Sequence, residues 1–491
     1  MVAHFPDIDP AYRGHPGLAE LIGLLSSGGD ARITLDPNTG LNRYRAAPYP
    51  RRTLAFASST ANDMSPAAFD HLLSLRAAGS PSYRDHLASL RRRIAAAYRV
   101  GPDTGVIFAA SGTDCEFIAL AAVEGRARGG VHNILLGADE VGSGCIHSAR
   151  GCHFAESTAL GHATEPGEAI PGLVRVTLCD VPVRCARGEA RGSREIAQAI
   201  RAEIVRAVEN GQHALLHVVH GSKTGLILPR LSEIDALRAE FGAGPGGGLS
   251  IVVDACQARI TSQAVGEYLE RGAMVLLTGS KFMGGPPFSG FALVPCAIVE
   301  RAAPLPEGFA KLFRRAEWDE RWAGCDILED SANPGLALRL EASVFELERF
   351  QAIGRDAAER VILAFQRAVR ELLVRRQGFR RVEPYRVGHP EEAADHPLEM
   401  LTLATLDVSV HPEASTFEGA RELYLALDRR GLRLGQPVKC VPREDGSFAG
   451  TLRAGLSMPQ ICGLAGLSDH ALESALFESI GRFADALAVP A

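Results

Sequence analysis

Short apolar runs alternate with amphipathic stretches through the middle of the chain. The runs are bounded by turn residues and lie at 106–110, 133–139, 174–180, 213–221, 249–255 and 274–280. The intervals hold helical patterns such as SREIAQAIRAEIVRAVENG and LSEIDALRAEFG. Continuous apolar strands that alternate with helices are typical of a mostly parallel sheet covered on both faces. The pattern therefore predicts an α/β fold.

The pattern changes at two places, and these predict the domain boundaries. Residues 1–53 are rich in turn residues and resemble an arm, while the regular alternation belongs to a large domain at 54–330. After SANPG (331–335) a long helical segment leads into mixed strands and helices. We therefore expect a smaller α+β domain at 331–491.

Composition narrows the class of protein. The 491 residues are 46% hydrophobic and 22% charged, with a net charge of −6. This profile is that of a soluble globular protein and gives no reason to expect a nucleic-acid partner. The start MVAHFPDIDP lacks a signal pattern and no window is long enough to span a membrane. The expectation is a cytoplasmic protein without a membrane partner.

Ten cysteines are present, but none forms a CxxC pair. A disulfide framework is not expected without a secretion signal. Cys145, His147, Cys152 and His153 lie close together in sequence, yet their spacing matches no common zinc pattern. We therefore predict no metal site.

The stretch LLTGSKFMGGPPFSG (276–290) places Lys281 between an apolar run and a loop of Gly and Pro. A lysine is costly to desolvate, so its burial needs a compensating interaction. A covalent imine with a carbonyl compound would provide one. Lys281 is thus a candidate for covalent chemistry.

Three predicted strand ends carry polar residues, and the carboxyl ends of parallel strands meet at one edge of a sheet. They are Ser111-Gly112-Thr113, which opens a helix; Asp254 with Gln257; and Lys281 with Thr278 and Ser280. A pyridoxal phosphate site needs a helix N-terminus for the phosphate, a carboxylate for the pyridine nitrogen and a lysine for the imine. Each feature alone also fits a turn, a helix cap or a surface lysine. Their combination favours the cofactor site.

The motifs at these strand ends resemble those of fold-type I pyridoxal phosphate enzymes, in the branch of class V aminotransferases and cysteine desulfurases. VVDACQ is similar to the strand end of that branch, TGSK to its lysine motif, and HGSKTG (220–225) to its HGESSTG stretch. The resemblance runs in motif order from about residue 54 to the C-terminus. It implies a large domain with a mostly parallel, seven-stranded-type sheet, a smaller C-terminal domain, and pyridoxal 5'-phosphate as cofactor.

The resemblance also implies roles for individual residues. Lys281 would form the Schiff base and shuttle the proton, and Asp254 would hold the pyridinium. The remaining cofactor-binding residues would be Ser111, Gly112, Thr113, Gln257, Thr278, Ser280, Ser222 and His220. The Gly and Pro residues after Lys281 are expected to let the backbone approach the cofactor.

Two further residues carry implied roles. Arg453, in TLRAGLS, would bind the substrate α-carboxylate, because a guanidinium pairs both carboxylate oxygens. Asn333, in SANPG, resembles a residue that reaches the phosphate of a partner subunit, and a homodimer is therefore expected. The chain departs from the branch at 138–144, ADEVGSG, which offers no ring to stack on the cofactor; His147 is the candidate instead.

Three functions remain open. Aminotransferase-type chemistry on an amino acid is the first. The second is a cysteine desulfurase or C–S lyase with Cys440 as the candidate nucleophile, although Ser280 precedes the lysine where desulfurases have a histidine. The third is a non-catalytic binding module. Asn38, Asn42, Tyr44, Arg45 and the segment 58–62 are expected to shape the substrate side-chain pocket.

Overall fold

The computed structural model describes residues 5, 7–57, 60–142, 145–173, 175–242, 247–389, 392–393 and 396–488. The strands are β1 (Leu54–Phe56), β2 (Thr104–Ala109), β3 (Val131–Leu136), β4 (Val176–Val181), β5 (His213–His220), β6 (Ile227–Leu228), β7 (Leu249–Asp254), β8 (Met274–Thr278), β9 (Gly290–Pro295), β10 (Arg380–Val382), β11 (Leu403–Asp407), β12 (Leu432–Leu434) and β13 (Thr451–Gly455).

Helices fill most of the intervals between the strands. The α-helices are Leu18–Leu25, Pro66–Ala77, Tyr83–Tyr98, Cys115–Val123, Cys145–Ala149, Ser193–Glu209, Leu231–Phe241, Ser262–Glu270, Cys296–Val299, Pro334–Ala352, Arg355–Val369, Phe417–Arg429, Met458–Leu464 and Asp469–Ala486. None of the described helices is both long and apolar enough to cross a membrane.

The large sheet has the strand order β2-β9-β8-β7-β5-β3-β4, with β6 attached to β5. All strands of this path except β9 run parallel to one another, whereas β9 pairs antiparallel with both β2 and β8. Its core strands are buried because helices cover both faces; every residue of β5 is buried, including its three histidines. The predicted α/β class is confirmed, but β9 was not foreseen.

The C-terminal region contains a small antiparallel sheet of β10, β11 and β13. Strand β1 pairs in parallel with β12, so residues 54–56 associate with the C-terminal part of the chain. The division at residues 53 and 330 stays a prediction. What matters for the site is that β13 and the helix Phe417–Arg429 face the carboxyl edge of the large sheet across a cavity.

Candidate active site

A cavity of about 910 Å³ lies at the carboxyl edge of the large sheet. Loops after β2, β3, β5, β7 and β8 supply one side, and β13 with the helix Phe417–Arg429 supplies another. The predicted residues that line it are Ser111, Gly112, Thr113, Ser222, Asp254, Gln257, Thr278, Ser280, Lys281 and Arg453. Residues far apart in sequence thus meet as the strand-end argument requires.

One end of the cavity is a cradle of hydroxyl groups beside a helix start. Ser111 and Gly112 precede the helix Cys115–Val123, and Thr278 Oγ1 lies 3.0 Å from Ser280 Oγ. A Cβ on Gly112 would come within 3.2 Å of the Cys256 sulfur, so glycine lets this loop pack close to β7. The Ser111 hydroxyl donates to the Asp114 carboxylate, and Thr278 Oγ1 also contacts the Ser289 carbonyl. N–H groups at a helix start with hydroxyls beside them suit a phosphate.

Lys281 and Asp254 lie at the base of the cavity. Lys281 is half-buried, and its backbone carbonyl accepts a hydrogen bond from Asn62 Nδ2 at 2.8 Å. Asp254 Oδ1 accepts from the Cys256 N–H at 3.0 Å. The carboxylate thus has a fixed position with lone pairs left for a ligand.

Two residues behind Asp254 were not predicted from the sequence. Glu116 is 3% exposed and lines the cavity, and its Oε2 lies 3.4 Å from Nδ1 of the buried His217. Burial and the nearby Asp254 raise the pKa of Glu116 well above its usual range, while burial lowers the pKa of His217 to about 4. Burial thus disfavours the charged form of both groups. Their sequence signal was a carboxylate in the otherwise apolar helix CEFIALAAV.

The loop after β5 is held by a buried carboxylate, also missed from the sequence. Ser222 Oγ and Thr224 Oγ1 donate to Glu140 Oε2 at 2.8 and 2.7 Å, and Arg184 pairs with its other oxygen. Burial alone would raise the pKa of Glu140, but Arg184 and the two hydroxyls outweigh it and hold the pKa below its usual value. The Ser222 hydroxyl is thus committed to Glu140.

Gln257 and His220 have different surroundings. Gln257 lines the cavity, and its Oε1 accepts from Arg259 Nη1 at 2.9 Å. His220 is buried outside the lining residues, with Nδ1 3.1 Å from the Tyr268 hydroxyl. Burial lowers its pKa to about 3. The structure therefore does not bring His220 together with the other predicted residues.

Arg453 enters the cavity from β13. Its Nε donates to the Gln436 carbonyl at 2.8 Å and its Nη1 to the Lys223 carbonyl at 3.4 Å. No carboxylate among the described residues pairs with it, and burial lowers its pKa to about 10. It is a buried cation held by neutral oxygens, which leaves it ready for an anion.

Asn333 and Cys440 do not line the cavity. The Asn333 amide caps the helix Pro334–Ala352 through Leu336 N–H at 3.0 Å and donates to the Gly28 carbonyl at 2.9 Å. Its contacts are thus made inside its own chain. Cys440 is 2% exposed in a small apolar cluster, and burial raises the pKa of its thiol to about 12.

The glycines on either side of Lys281 pack closely against protein. A Cβ on Gly279 or Gly285 would overlap the Ser343 hydroxyl, and one on Gly284 would overlap Pro459. The expectation that the Gly and Pro residues after Lys281 let the backbone approach a cofactor stays a prediction. Pro287 and Phe288 do line the cavity.

The N-terminal arm forms part of the wall. Tyr44, Arg45 and Thr60 line the cavity, as expected for the substrate pocket. Asn38 and Asn42 do not; the Asn42 side chain instead accepts from the Tyr44 and Ala46 N–H groups. Residues 58–59 of the predicted pocket and residues 143–144 of ADEVGSG lie outside the described residues.

The structure adds Val141 to His147 as a candidate for the stacking position. His147 lines the cavity but is exposed. Val141, which follows β3, also lines it and is 8% exposed. An aliphatic side chain can cover a ring by van der Waals contact, although without the aromatic stacking that the resemblance implied.

A scan of protein-family models and a search of curated proteins match nothing. Solved structures do match. The Escherichia coli cysteine desulfurase CsdA, in an S-sulfonic acid form, is 15% identical with a TM-score of 0.54, and the match covers 89% of this chain and 96% of that chain. A NifS-like protein is 12% identical with a TM-score of 0.53, and the match covers 88% and 99%.

This chain has the aminotransferase fold of type I. The similarity covers most of both chains, so it includes the large sheet and the C-terminal region together. The fold predicted from the sequence motifs is confirmed. At these identities the likeness establishes the fold, and the chemistry must be argued from the site.

Proposed function

We propose that this chain is a pyridoxal phosphate-dependent enzyme that acts on the α-carbon of an amino acid, with aminotransferase-type chemistry. The observation that carries the proposal is the convergence of Lys281, Asp254 and the hydroxyl cradle in one cavity that also holds Arg453. The fold supports it, since the carboxyl edge of such a sheet is where ligands bind.

The residues present fit the cofactor. Ser111, Thr278 and Ser280, with the start of the helix Cys115–Val123, would hold the phosphate, and the absence of a Cβ at Gly112 keeps that loop close. Asp254 would face the ring nitrogen. When bound, pyridoxal phosphate supplies an electron sink for a bond broken at the substrate α-carbon.

The chain's own residues then divide the work. Asp254 would keep the ring nitrogen of the cofactor protonated, because the carboxylate stabilises the positive charge that this proton creates. Lys281 anchors the cofactor and moves a proton at the α-carbon through its Nζ. Arg453 binds the α-carboxylate and so orients the bonds around that carbon.

Cysteine desulfurase chemistry is the second candidate, since both solved structures named above share the fold and CsdA is a cysteine desulfurase. The surroundings of Cys440 argue against its predicted role as the nucleophile. The reactive species is a thiolate, and burial raises the pKa of this thiol and so disfavours the thiolate. Cys145 and Cys256 line the cavity, but burial raises their pKa values too. A desulfurase without a thiolate carrier would have to release sulfide directly.

The experiment has two stages. The protein is incubated with pyridoxal phosphate, reduced with borohydride and digested, and mass spectrometry locates the label; we expect it on Lys281. An amino-acid panel is then scored for keto acid, sulfide and ammonia. With an acceptor keto acid present, a new keto acid formed without ammonia supports the aminotransferase, because the amino group is then transferred to the acceptor. Sulfide from cysteine supports the desulfurase or C–S lyase, and direct release of sulfide would bring pyruvate and ammonia with it. Absence of label would leave the non-catalytic module.

Two expectations stay proposals. A homodimer is still expected from the resemblance, although the intrachain contacts of Asn333 give it no support. Light scattering of the purified protein tests it. A cytoplasmic location also stays a prediction.

A further inference from the structure

The cavity wall contains cations that lack carboxylate partners. Arg32 and Arg45 line the cavity too, but Asp30 and Asp428 neutralise them at 2.7 and 2.9 Å. Arg43 and Arg421 also line it, and no salt bridge joins either to a carboxylate of the described residues. Arg453, assigned above to the α-carboxylate, is therefore one of several uncompensated cations.

The carboxylates that line the cavity do not cancel this charge. They are Asp30, Glu116, Glu140, Glu156 and Asp254. Asp30 and Glu140 are paired with arginines, and Glu116 is a buried side chain 3.4 Å from His217. Asp254 lies at the proposed cofactor end. Arg43, Arg421 and Glu156 are all exposed side chains of the cavity lining, and because two of these three are cations, this part of the lining favours an anion.

Tyr424 supplies a second, independent observation. It lines the cavity and is 3% exposed, yet its hydroxyl has no hydrogen-bond partner in the described part of the chain. A buried hydroxyl without a partner is costly, and most such groups in native proteins are paired. The hydroxyl oxygen is itself enclosed by protein, so a ligand oxygen pairs with it only by entering the wall beside Arg421. Burial raises the pKa of Tyr424, so the group stays a neutral donor.

Helix geometry places these groups together. Phe417, Arg421, Tyr424 and Leu425 all line the cavity, and their spacing puts them on one face of the helix Phe417–Arg429. The N-terminal arm is tied to the same helix, because Arg45 pairs with Asp428. Arg43, two residues before Arg45, is thereby held at the same wall.

We propose that the substrate is an amino acid whose side chain carries its own oxyanion, a carboxylate or a phosphate. The Tyr424 hydroxyl, Arg421 and Arg43 bind this group, while Arg453 binds the α-carboxylate. The inference rests on the proposed function, since it assigns the second half of the same site.

The test measures binding without turnover. Calorimetry on the cofactor-loaded protein compares 2-methylaspartate and 2-methylglutamate with 2-methylasparagine and 2-methylglutamine, which differ in charge but hardly in shape and cannot lose an α-proton. O-phospho-2-methylserine against 2-methylserine forms the phosphate arm, again without an α-proton. We expect at least one acidic compound to bind about tenfold or more tightly than its neutral counterpart, as for a charge-assisted hydrogen bond.

Three variants test whether residues of the cavity wall cause the preference for acidic compounds. Arg421→Gln and Tyr424→Phe should each move the acidic-to-neutral affinity ratio towards one. Arg429→Gln removes an exposed arginine of the same helix that does not line the cavity, and should keep the wild-type ratio. Equal affinities for every pair, or a ratio that Arg421→Gln leaves intact, would overturn the inference.

The label on Lys281 separates this failure from failure of the proposed function. A protein that carries the cofactor on Lys281 but binds acidic and neutral compounds equally contradicts only the substrate class. A protein with no cofactor on Lys281 contradicts the proposed function first.

Discussion

The two ends of the cavity are built in different ways. The proposed cofactor end comes from loops that follow the parallel strands β2, β5, β7 and β8, within one sheet. The proposed substrate end joins the arm before residue 46, the helix Phe417–Arg429 and β13, which no single sheet connects. The first end is dictated by topology and the second by packing between distant segments. The reaction should therefore tolerate few substitutions at the cofactor end, while substitutions at the substrate end should more easily alter which substrate is preferred.

The largest loss of activity is expected for Lys281→Ala, at the cofactor end of the cavity. The residue is half-buried and makes its hydrogen bond to Asn62 through the backbone, so removing the side chain should not unfold the protein. Loss of proton transfer alone costs on the order of 10²–10⁴-fold in rate, and loss of the covalent anchor adds to it. Turnover of the best amino acid in the panel measures the effect. Lys311→Ala, an exposed lysine, is the control, and a Lys281→Ala enzyme of wild-type rate would refute the assignment.

Asp254→Asn should come next. The side chain is isosteric and can still accept from the Cys256 N–H, but it no longer stabilises a protonated ring nitrogen. We expect kcat to fall about a hundredfold, or about 2.7 kcal/mol of barrier. Cofactor labelling of Lys281 should persist. A loss below about tenfold would remove Asp254 from this role.

Arg453→Ala tests the substrate end. Removing one partner of a buried ion pair costs about 2–5 kcal/mol, and here the loss should appear mainly in KM. Arg453→Lys retains the charge but not the two-pronged geometry, so it should recover part of the loss. An unchanged KM in Arg453→Ala would place the α-carboxylate elsewhere.

Lys223 gives the cavity a pH dependence. Burial and the neighbouring Arg453 and Lys281 lower its pKa to about 8, while Glu140 and Cys145 act in the opposite direction. The affinity for an anionic ligand should therefore fall severalfold as pH rises through about 8, and Lys223→Gln should flatten the profile. Calorimetry with 2-methylaspartate between pH 6.5 and 9.5 measures it. A wild-type profile that is flat across pH 8 would contradict the prediction.

The lowered pKa of Lys223 also makes the stability of the folded protein depend on pH. The folded pKa of Lys223 lies below the ordinary value of 10.5, so the unfolded chain binds the extra proton between these pH values. Stability from this group should rise as pH increases from about 8 towards 10.5.

The smallest effect on activity is expected for Cys440→Ser. The thiol lies outside the cavity lining, so the rate of keto-acid formation should change less than about twofold in the absence of any contact with the reacting groups. A hydroxyl in this apolar cluster should instead lower the free energy of unfolding by about 1–3 kcal/mol. Loss of cysteine-dependent sulfide release would show that Cys440 is the carrier after all.

The sequence predicted the cofactor end far better than the substrate end. Strand ends can be located from apolar runs, and this was enough to bring Ser111, Asp254 and Lys281 together. His220 failed because the direction of a side chain in a fully buried strand does not follow from its position near a motif. Cys440 lies outside the lining because a residue close in sequence to a site can point into a separate apolar cluster.

The site residues that were not predicted from the sequence were missed for one physical reason. Glu116, Glu140 and Tyr424 matter through burial and through the partners they have or lack. These properties arise from contacts between segments and leave almost no trace in local periodicity. A polar residue within an apolar helix, as in CEFIALAAV, is the one local sign that was present.

The Arg45–Asp428 ion pair has a consequence for the order in which the protein is made. Asp428 also pairs with the fully buried Arg433, which in turn pairs with Asp63. On the ribosome the first partner is synthesised hundreds of residues before the second, and chains fold broadly from the N-terminus as they emerge. The strands of the large sheet can pair while the arm still has no place to dock. The arm therefore reaches its final position only after residue 433 has left the exit tunnel, and the substrate wall is the last part of the cavity to be completed.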